Sequence, residues 1–272
     1  MRLTKEQKME VCVKYCEGKN SYALSREYGV TPQSIRGILI RGGVPRRSLS
    51  EAKRTCLLNH EAFSKVTPDS AYWAGFLMAD GAITTRSNSS PLILLGLCAK
   101  DRKHLLKFRL FLGSTHAVTR GIVTFCGKKH TRYVFGVRSR QIADDLRGYG
   151  VVPRKTERAE ATELVNASRD FWRGVVDGDG CLRISSYPRM ELLGSLPLVS
   201  QFLSFLNRNG IVTTAKAHGR GGYFVTALSG SFVVDAVRLL YGNCNVALDR
   251  KLKIAHDILH FRPIAAQQKK AD

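Results

Sequence analysis

The chain has 272 residues, 44% of them hydrophobic and 24% charged, and its 43 Lys and Arg against 22 Asp and Glu give a net charge of +21. This is the composition of an ordinary globular protein with room for one large or two to three small domains. No apolar run approaches the ~18 residues of a membrane span and no signal peptide opens the chain, while cations are in excess in every third of the sequence, which points to a long contact with a polyanion, nucleic acid above all.

The first 45 residues read as three helices. Thr4 caps a helix to about Glu17, with Met9, Cys12, Val13 and Cys16 on one face. A second helix spans roughly 21–28, Gly29 makes a tight turn, and Thr31-Pro32 opens a third helix to about Arg41 that buries Ile35, Ile38 and Leu39. Leu24, Gly29, Val30 and Ile35 have the spacing of a helix-turn-helix. Its third helix would present Gln33, Ser34 and Arg36 to bases and phosphates. A helical protein-interaction module is the alternative. Residues 46–66 read as a basic linker. Arg46 and Arg47 there either track a DNA backbone or sit in a solvated connector.

From residue 67 the pattern is helix to Asp80, strands near 82–86 and 91–98, helix 100–112, strands near 115–125 and 131–138, and helix 140–148. The order then repeats: helix 168–179, a hairpin over 181–193, helix 196–209, a hairpin over 212–228, and helices near 230–241 and 248–260. The expected architecture is α+β: two tandem αββαββα half-domains, 67–165 and 166–262, behind an all-α module, with 263–272 a disordered tail. The strands alternate, so each sheet has an apolar face and a polar one. Arg86, Arg132, Arg183, Ser185, Arg189, Lys216, His218 and Arg220 fall on the polar side, where they could meet a DNA groove or only solvent.

Seven cysteines at 12, 16, 56, 98, 126, 181 and 244 form no C-x-x-C pair and read as reduced thiols. Cys12 and Cys16, and likewise His256 and His260, are four apart on helices. Without a second pair at zinc-finger spacing, one helix face is the plainer reading.

Two stretches carry the chemistry: WAGFLMADG at 73–81 and WRGVVDGDG at 172–180. Gly75 with Ala79, and Gly174 with Gly178, make side-chain-poor strips that let two helices approach closely. If the helices run parallel, Asp80 and Asp179 meet at their ends. Two crowded carboxylates call for cations between them, and hard oxygen donors favour Mg²⁺ over zinc. Such a pair against a phosphate backbone suits metal-assisted phosphodiester hydrolysis.

These stretches resemble the two motifs of the LAGLIDADG homing endonucleases, over about residues 67–262. The resemblance implies a pseudo-two-fold monomer whose sheets straddle the major groove of double-stranded DNA, a long imperfectly palindromic target, and Mg²⁺, as two or more ions, held by Asp80, Asp179 and the carbonyls of Ala79 and Gly178. It implies an active-centre lysine in each half, matched by Lys155 and Lys251. Met78 departs from the pattern where the second motif has Asp177. That position is not the metal-binding one, and Asp177 is expected to serve structure. A helix-turn-helix joined through PRRSLSEAKR is also similar to modules found on phage and bacterial proteins of this group. The enzyme reading, an intron-homing or free-standing endonuclease in a bacterial or phage-infected cytoplasm or an organelle, stands against a non-cleaving transcriptional regulator or an RNA maturase.

Overall fold

The computed structural model describes residues 3–45, 56–87, 89–125, 127–155 and 157–262. Arg46 and Arg47, with the rest of residues 46–55 in the segment read as a linker, and the 263–272 tail lie outside the described residues. The chain divides into two compact units, Met1–Cys56 and Leu57–Asp272.

The first unit holds three helices: α1 (Lys5–Cys16), α2 (Ser21–Glu27) and α3 (Pro32–Arg41). Each begins where a side chain satisfies an orphan backbone donor. Thr4 and Gln7 form a reciprocal capping box, Asn20 accepts from the Ala23 amide, and Thr31 accepts from the Ser34 amide ahead of Pro32. Gly29, at φ 62°, lets the chain reverse between α2 and α3. Leu3, Val11, Tyr15, Leu24, Ile35, Ile38 and Leu39 form the core. The buried face of α1 therefore differs from the sequence expectation. Val11 and Tyr15 point inward, whereas Met9 and Val13 are 64% and 55% exposed. Tyr15 supplies both apolar area and a polar tip, and it displaces the smaller residues from the core.

The second unit is built of two four-stranded antiparallel sheets with the same strand order. In the first, β1 (Gly81–Arg86), β2 (Ser89–Cys98), β3 (Thr119–Phe125) and β4 (Lys128–Arg138) lie in the order β1-β2-β4-β3; in the second, β5 (Gly180–Ile184), β6 (Pro188–Gly194), β7 (His218–Arg220) and β8 (Tyr223–Ser229) lie in the order β5-β6-β8-β7. Helices α4 (Pro68–Asp80), α5 (Arg102–Phe111) and α6 (Arg140–Gly148) belong to the first half, and α7 (Arg169–Asp179), α8 (Leu196–Arg208) and α9 (Ser231–Tyr241) to the second. These are two αββαββα units, as expected, and the second is followed by α10 (Asp249–Leu259). Helices cover one face of each sheet and leave the other open. Two elements are shorter than the sequence suggests. β3 begins at Thr119, and β7 keeps three residues, so Lys216 precedes the strand. Residues 57–66, read as connector, pack on the core: Phe63 is buried, and the Asn59 amide donates to the Leu112 carbonyl at 2.9 Å. No described helix is long and apolar enough to cross a membrane.

Helices α4 and α7 run in parallel at the middle of this unit, backbone against backbone. A Cβ on Gly75 would stand 2.0 Å from the Phe171 carbonyl oxygen, and one on Gly174 would stand 2.1 Å from that of Tyr72. At the far end, a Cβ on Gly178 would lie 2.2 Å from that of Ala79. Every residue from Ser70 to Met78 and from Phe171 to Asp177 is buried. The helices therefore have no solvent face over this length, and larger side chains would force them apart.

Gly174→Ala should cost about 1–3 kcal/mol by overpacking and lower the melting temperature by several degrees. Gly148→Ala, where a Cβ meets nothing within 4 Å, should leave it unchanged or slightly raised. Equal melting of the two variants would contradict the backbone contact.

Candidate active site

The close approach has a direct consequence at the helix ends. Asp80 and Asp179 are the last residues of α4 and α7, and each is followed by a glycine that enters a strand at once. A Cβ on Gly81 would stand 2.7 Å from the Leu77 carbonyl oxygen, and one on Gly180 would stand 2.5 Å from that of Val176. The Asp-Gly pair is thus the sharpest available exit from each helix. It leaves both carboxylates at the seam: the Cβ position of Gly178 lies 3.5 Å from Asp80 Oδ2.

The two lysines singled out in the sequence converge on the same place. Lys155 Nζ donates to the Gly81 carbonyl at 2.6 Å, and Lys251 Nζ donates to the Gly180 carbonyl at 2.5 Å. These carbonyls are equivalent in the two halves, each one residue past an aspartate. The lysines are otherwise held differently. Lys251, on α10 and only 2% exposed, also donates to the carbonyls of Val176 at 2.6 Å and Asp177 at 2.7 Å, with that of Gly178 at 3.4 Å. It therefore caps the negative end of α7. Lys155 sits in a loop after Arg154, whose φ of 54° is a left-handed conformation that β-carbon sterics disfavour.

The four charges tune one another. Burial raises the Asp179 carboxyl to about 6, reinforced by Asp80 and opposed by Lys155 and Lys251. Burial also raises Asp80, against the pull of Lys251, Lys155 and Arg250. Lys251 is brought down to about 8 by burial, with Asp177, Asp80 and Asp179 pulling the other way. Lys155 is lowered for the same reason and held up by Asp179 and Asp80. A cavity of about 260 Å³ opens beside the pair, lined by Met78, Ala79, Lys155, Asp179 and Tyr223 among others. No group of three or more His, Cys, Asp or Glu side chains able to hold a metal occurs among the described residues. The Cys12/Cys16 and His256/His260 pairs thus gain no further ligand. His260 Nδ1 hydrogen-bonds the His256 carbonyl at 2.8 Å, and all six described cysteines are free thiols.

Asp177 is fully buried. Its carboxylate accepts from the hydroxyls of Tyr72 and Tyr241 and from the Leu248 amide, each at 2.7 Å. Burial raises its pKa and these three donors lower it. Tyr72 comes from the other half, so Asp177 ties the two halves together two residues before Asp179. With the Tyr72 proton committed to Asp177, His104 Nε2 donates to the Tyr72 oxygen at 2.9 Å. Burial depresses His104 to about 3, so it is neutral near pH 7. Arg173, 1% exposed, lies over the Tyr72 ring and donates to the carbonyls of Val246 and Leu240. Arg250 Nε reaches both oxygens of Asp101, at 3.1 and 3.2 Å, across the halves. Sequence reading missed Arg173, His104, Tyr241 and Asp101. Nothing in their spacing separates them from ordinary helix residues. Arg250 stands beside Lys251 in LDRK and could have been found.

The nominated reading residues fall in three groups. Arg132, Arg183, Arg189, His218 and Arg220 lie on the open faces of their sheets. Arg86 ends β1 at a register shift, Ser185 lies in the hairpin turn, and Lys216 precedes β7, all three exposed. Gln33 and Ser34 are exposed at the start of α3 and Arg36 is half-buried.

Among solved structures, the chain is similar to the homing endonuclease I-WcaI bound to its DNA recognition sequence, with a TM-score of 0.53 at 8% identity over 71% of this chain and 90% of that one. The chain has the LAGLIDADG homing-endonuclease fold. The LAGLIDADG meganuclease I-AabMI bound to uncleaved DNA matches with a TM-score of 0.48 at 12% identity over 76% and 92% of the two chains. I-GzeII in complex with its DNA target gives 0.46 at 13% over 72% and 89%. No protein-family model and no curated protein matches the sequence. In this fold Asp80 and Asp179 end the two central helices, and Ala79 and Gly178 precede them.

The raised carboxyl of Asp179 has a consequence for stability. Its folded value, about 6, exceeds the 3.8 of an ordinary aspartate. Protonation therefore favours folding, and that contribution is lost as pH rises from about 4 through 6. In chelator near pH 7.5, Asp179→Asn should melt higher than the parent, by about 1–2 kcal/mol of stability, and the difference should vanish below about pH 4. A variant no more stable than the parent at the higher pH would contradict the burial of this carboxylate beside Asp80.

Proposed function

We propose that this chain is a site-specific endonuclease that cleaves double-stranded DNA with the help of divalent cations. The observation that carries the reading is the carboxylate pair, Asp80 and Asp179, at the joined ends of two parallel helices, flanked by one lysine from each half. The donor set fits Mg²⁺: two carboxylates whose protonation is favoured by burial, and at Asp179 also by the neighbouring Asp80, with main-chain carbonyls at Ala79 and Gly178, are hard oxygen ligands short of positive charge. Bound cations would neutralise the scissile phosphates and lower the pKa of attacking water.

The chain's own residues supply position and charge. Asp80 and Asp179 face one phosphate on each strand. Lys155 and Lys251, anchored on the carbonyls that follow the aspartates, place positive charge where the phosphorane develops its own. Lys251, brought down to about 8, also gives up a proton more readily than an ordinary lysine. The open sheet faces lie against the major groove and set the target. The net charge of +21 supports binding to many phosphates. In this reading the protein acts as a monomer on a long, imperfectly palindromic target, and the three-helix unit adds DNA contact outside the core site through Gln33, Ser34 and Arg36.

Incubation with a library of duplex targets should give cutting at one discrete site with Mg²⁺ and none with chelator. Asp80→Asn and Asp179→Asn should each abolish double-strand cleavage while keeping binding within a few-fold. Full cutting by either variant sinks the two-carboxylate assignment, and duplexes retained but never cut by the parent would favour a transcriptional regulator.

A further inference from the structure

The open faces of the two sheets carry different chemistry at equivalent positions. Counted from the glycine after each aspartate, Thr84 matches Arg183. Their cross-strand partners are Leu92 and Arg189, while Leu94 opposite Ala82 matches Glu191 opposite Cys181. We propose that the protein reads a target whose halves differ in base composition, with thymine methyl groups under the first sheet and guanine edges under the second. This rests on the DNA-cleaving function proposed above.

Residues directly opposite in an antiparallel pair share a face. On the open side of the first sheet, Leu94 lies opposite Ala82 and Gly136, Leu92 opposite Thr84 and Arg138, and Val134 opposite Gly96. The two leucines and Val134 are half-buried there, with the helical core on the other side. A Cβ on Gly136 would stand 2.9 Å from Leu94 Cδ1 and 3.3 Å from Leu92 Cδ1. Both leucines therefore lie over the glycine and make a low apolar strip. Its rim is cationic: Arg132 and Arg138 sit on the same face, with exposed Lys128, Lys129 and Arg86 at the strand ends. An apolar strip inside a cationic rim fits a duplex groove. In the major groove the apolar feature is the thymine methyl group.

The second sheet replaces this strip with hydrogen-bonding groups. Arg183 lies directly opposite Arg189, and Arg189 opposite Ser229. Like charges directly opposite destabilise a strand pair unless something offsets them. Glu191 does so for Arg183, at 2.8 Å. Arg189 is exposed and makes no ion pair among the described residues. Arg220 and His218 extend the same face along β7. Forked guanidinium groups pair with guanine O6 and N7, and Glu191 can accept from the amino group of cytosine.

The test uses the full-length protein in chelator with a randomised duplex library, sequencing the duplexes retained. The expected consensus has one half dominated by T·A pairs and the other holding fixed G·C pairs. Arg189→Ala should relax one guanine position about tenfold in the second half alone. Leu94→Gln, a change on the open face away from the helical core, should alter preference in the T·A half alone. Halves of like composition, no sequence preference, or a variant acting in the wrong half would overturn the inference while leaving the endonuclease reading intact. Failure to retain any duplex would overturn both.

Discussion

The contact between the backbones of α4 and α7 governs the rest of the structure. With glycine at 75 and 174, and Ala79 against Gly178, two helices meet without side chains between them. Everything distinctive about the candidate site lies at the end of that seam. The aspartates meet because they are the last helical residues, and the glycines after them turn the chain straight into the first strand of each sheet. Burial, reinforced by repulsion from Asp80, raises Asp179 to about 6. The fold therefore stores unfavourable electrostatics where cations would relieve them. Such storage is a mark of a functional site more than of a stable one.

The two halves share a backbone plan and differ in how they hold it. In the second half, Asp177 gathers Tyr72, Tyr241 and the Leu248 amide, and Lys251 is caged by the carbonyls that end α7. In the first half Met78 takes the equivalent place. There, Tyr149 turns instead to Ser70 and to the carbonyls of Phe63 and Lys65. Asp177 thus holds the C-terminal half of one central helix, and Tyr149 holds the N-terminal turn of the other. The Asp177 carboxylate is occupied by its three donors, and Asp80 and Asp179 are the equivalent carboxylates of the two helices.

Much of this was legible in the sequence, for identifiable reasons. The repeat of Trp, Gly, Asp and Gly at fixed spacing encodes the seam and the helix exits, because no other residues fit there. Alternation along β4, β5 and β6 showed which sheet faces are open, whereas β2 reads apolar on both faces, so the leucines on its open face were not legible. Side chains whose roles depend on the other half were not legible. Tyr72 and Asp101 sit on ordinary helical positions, and only the folded pairing gives them Asp177 and Arg250 as partners. The buried face of α1 was misread because Tyr15 outcompetes Met9 and Val13 for the core. β7 was overextended because 212–217 alternates like a strand yet pairs with nothing in the sheet. The lysines were found through the family resemblance, and their shared anchoring on Gly81 and Gly180 is a geometric result that spacing alone does not contain.

The most direct test of the central claim is whether the two carboxylates form one cation site. Titration of the DNA-free protein with Mn²⁺, followed by line broadening of backbone amide resonances, reads this by residue. The account predicts broadening centred on Gly81 and Gly180 together, at one ion concentration, and lost at both positions when either Asp80 or Asp179 is changed to Asn. Broadening at one position that survives removal of the opposite aspartate, or broadening centred elsewhere, would contradict it.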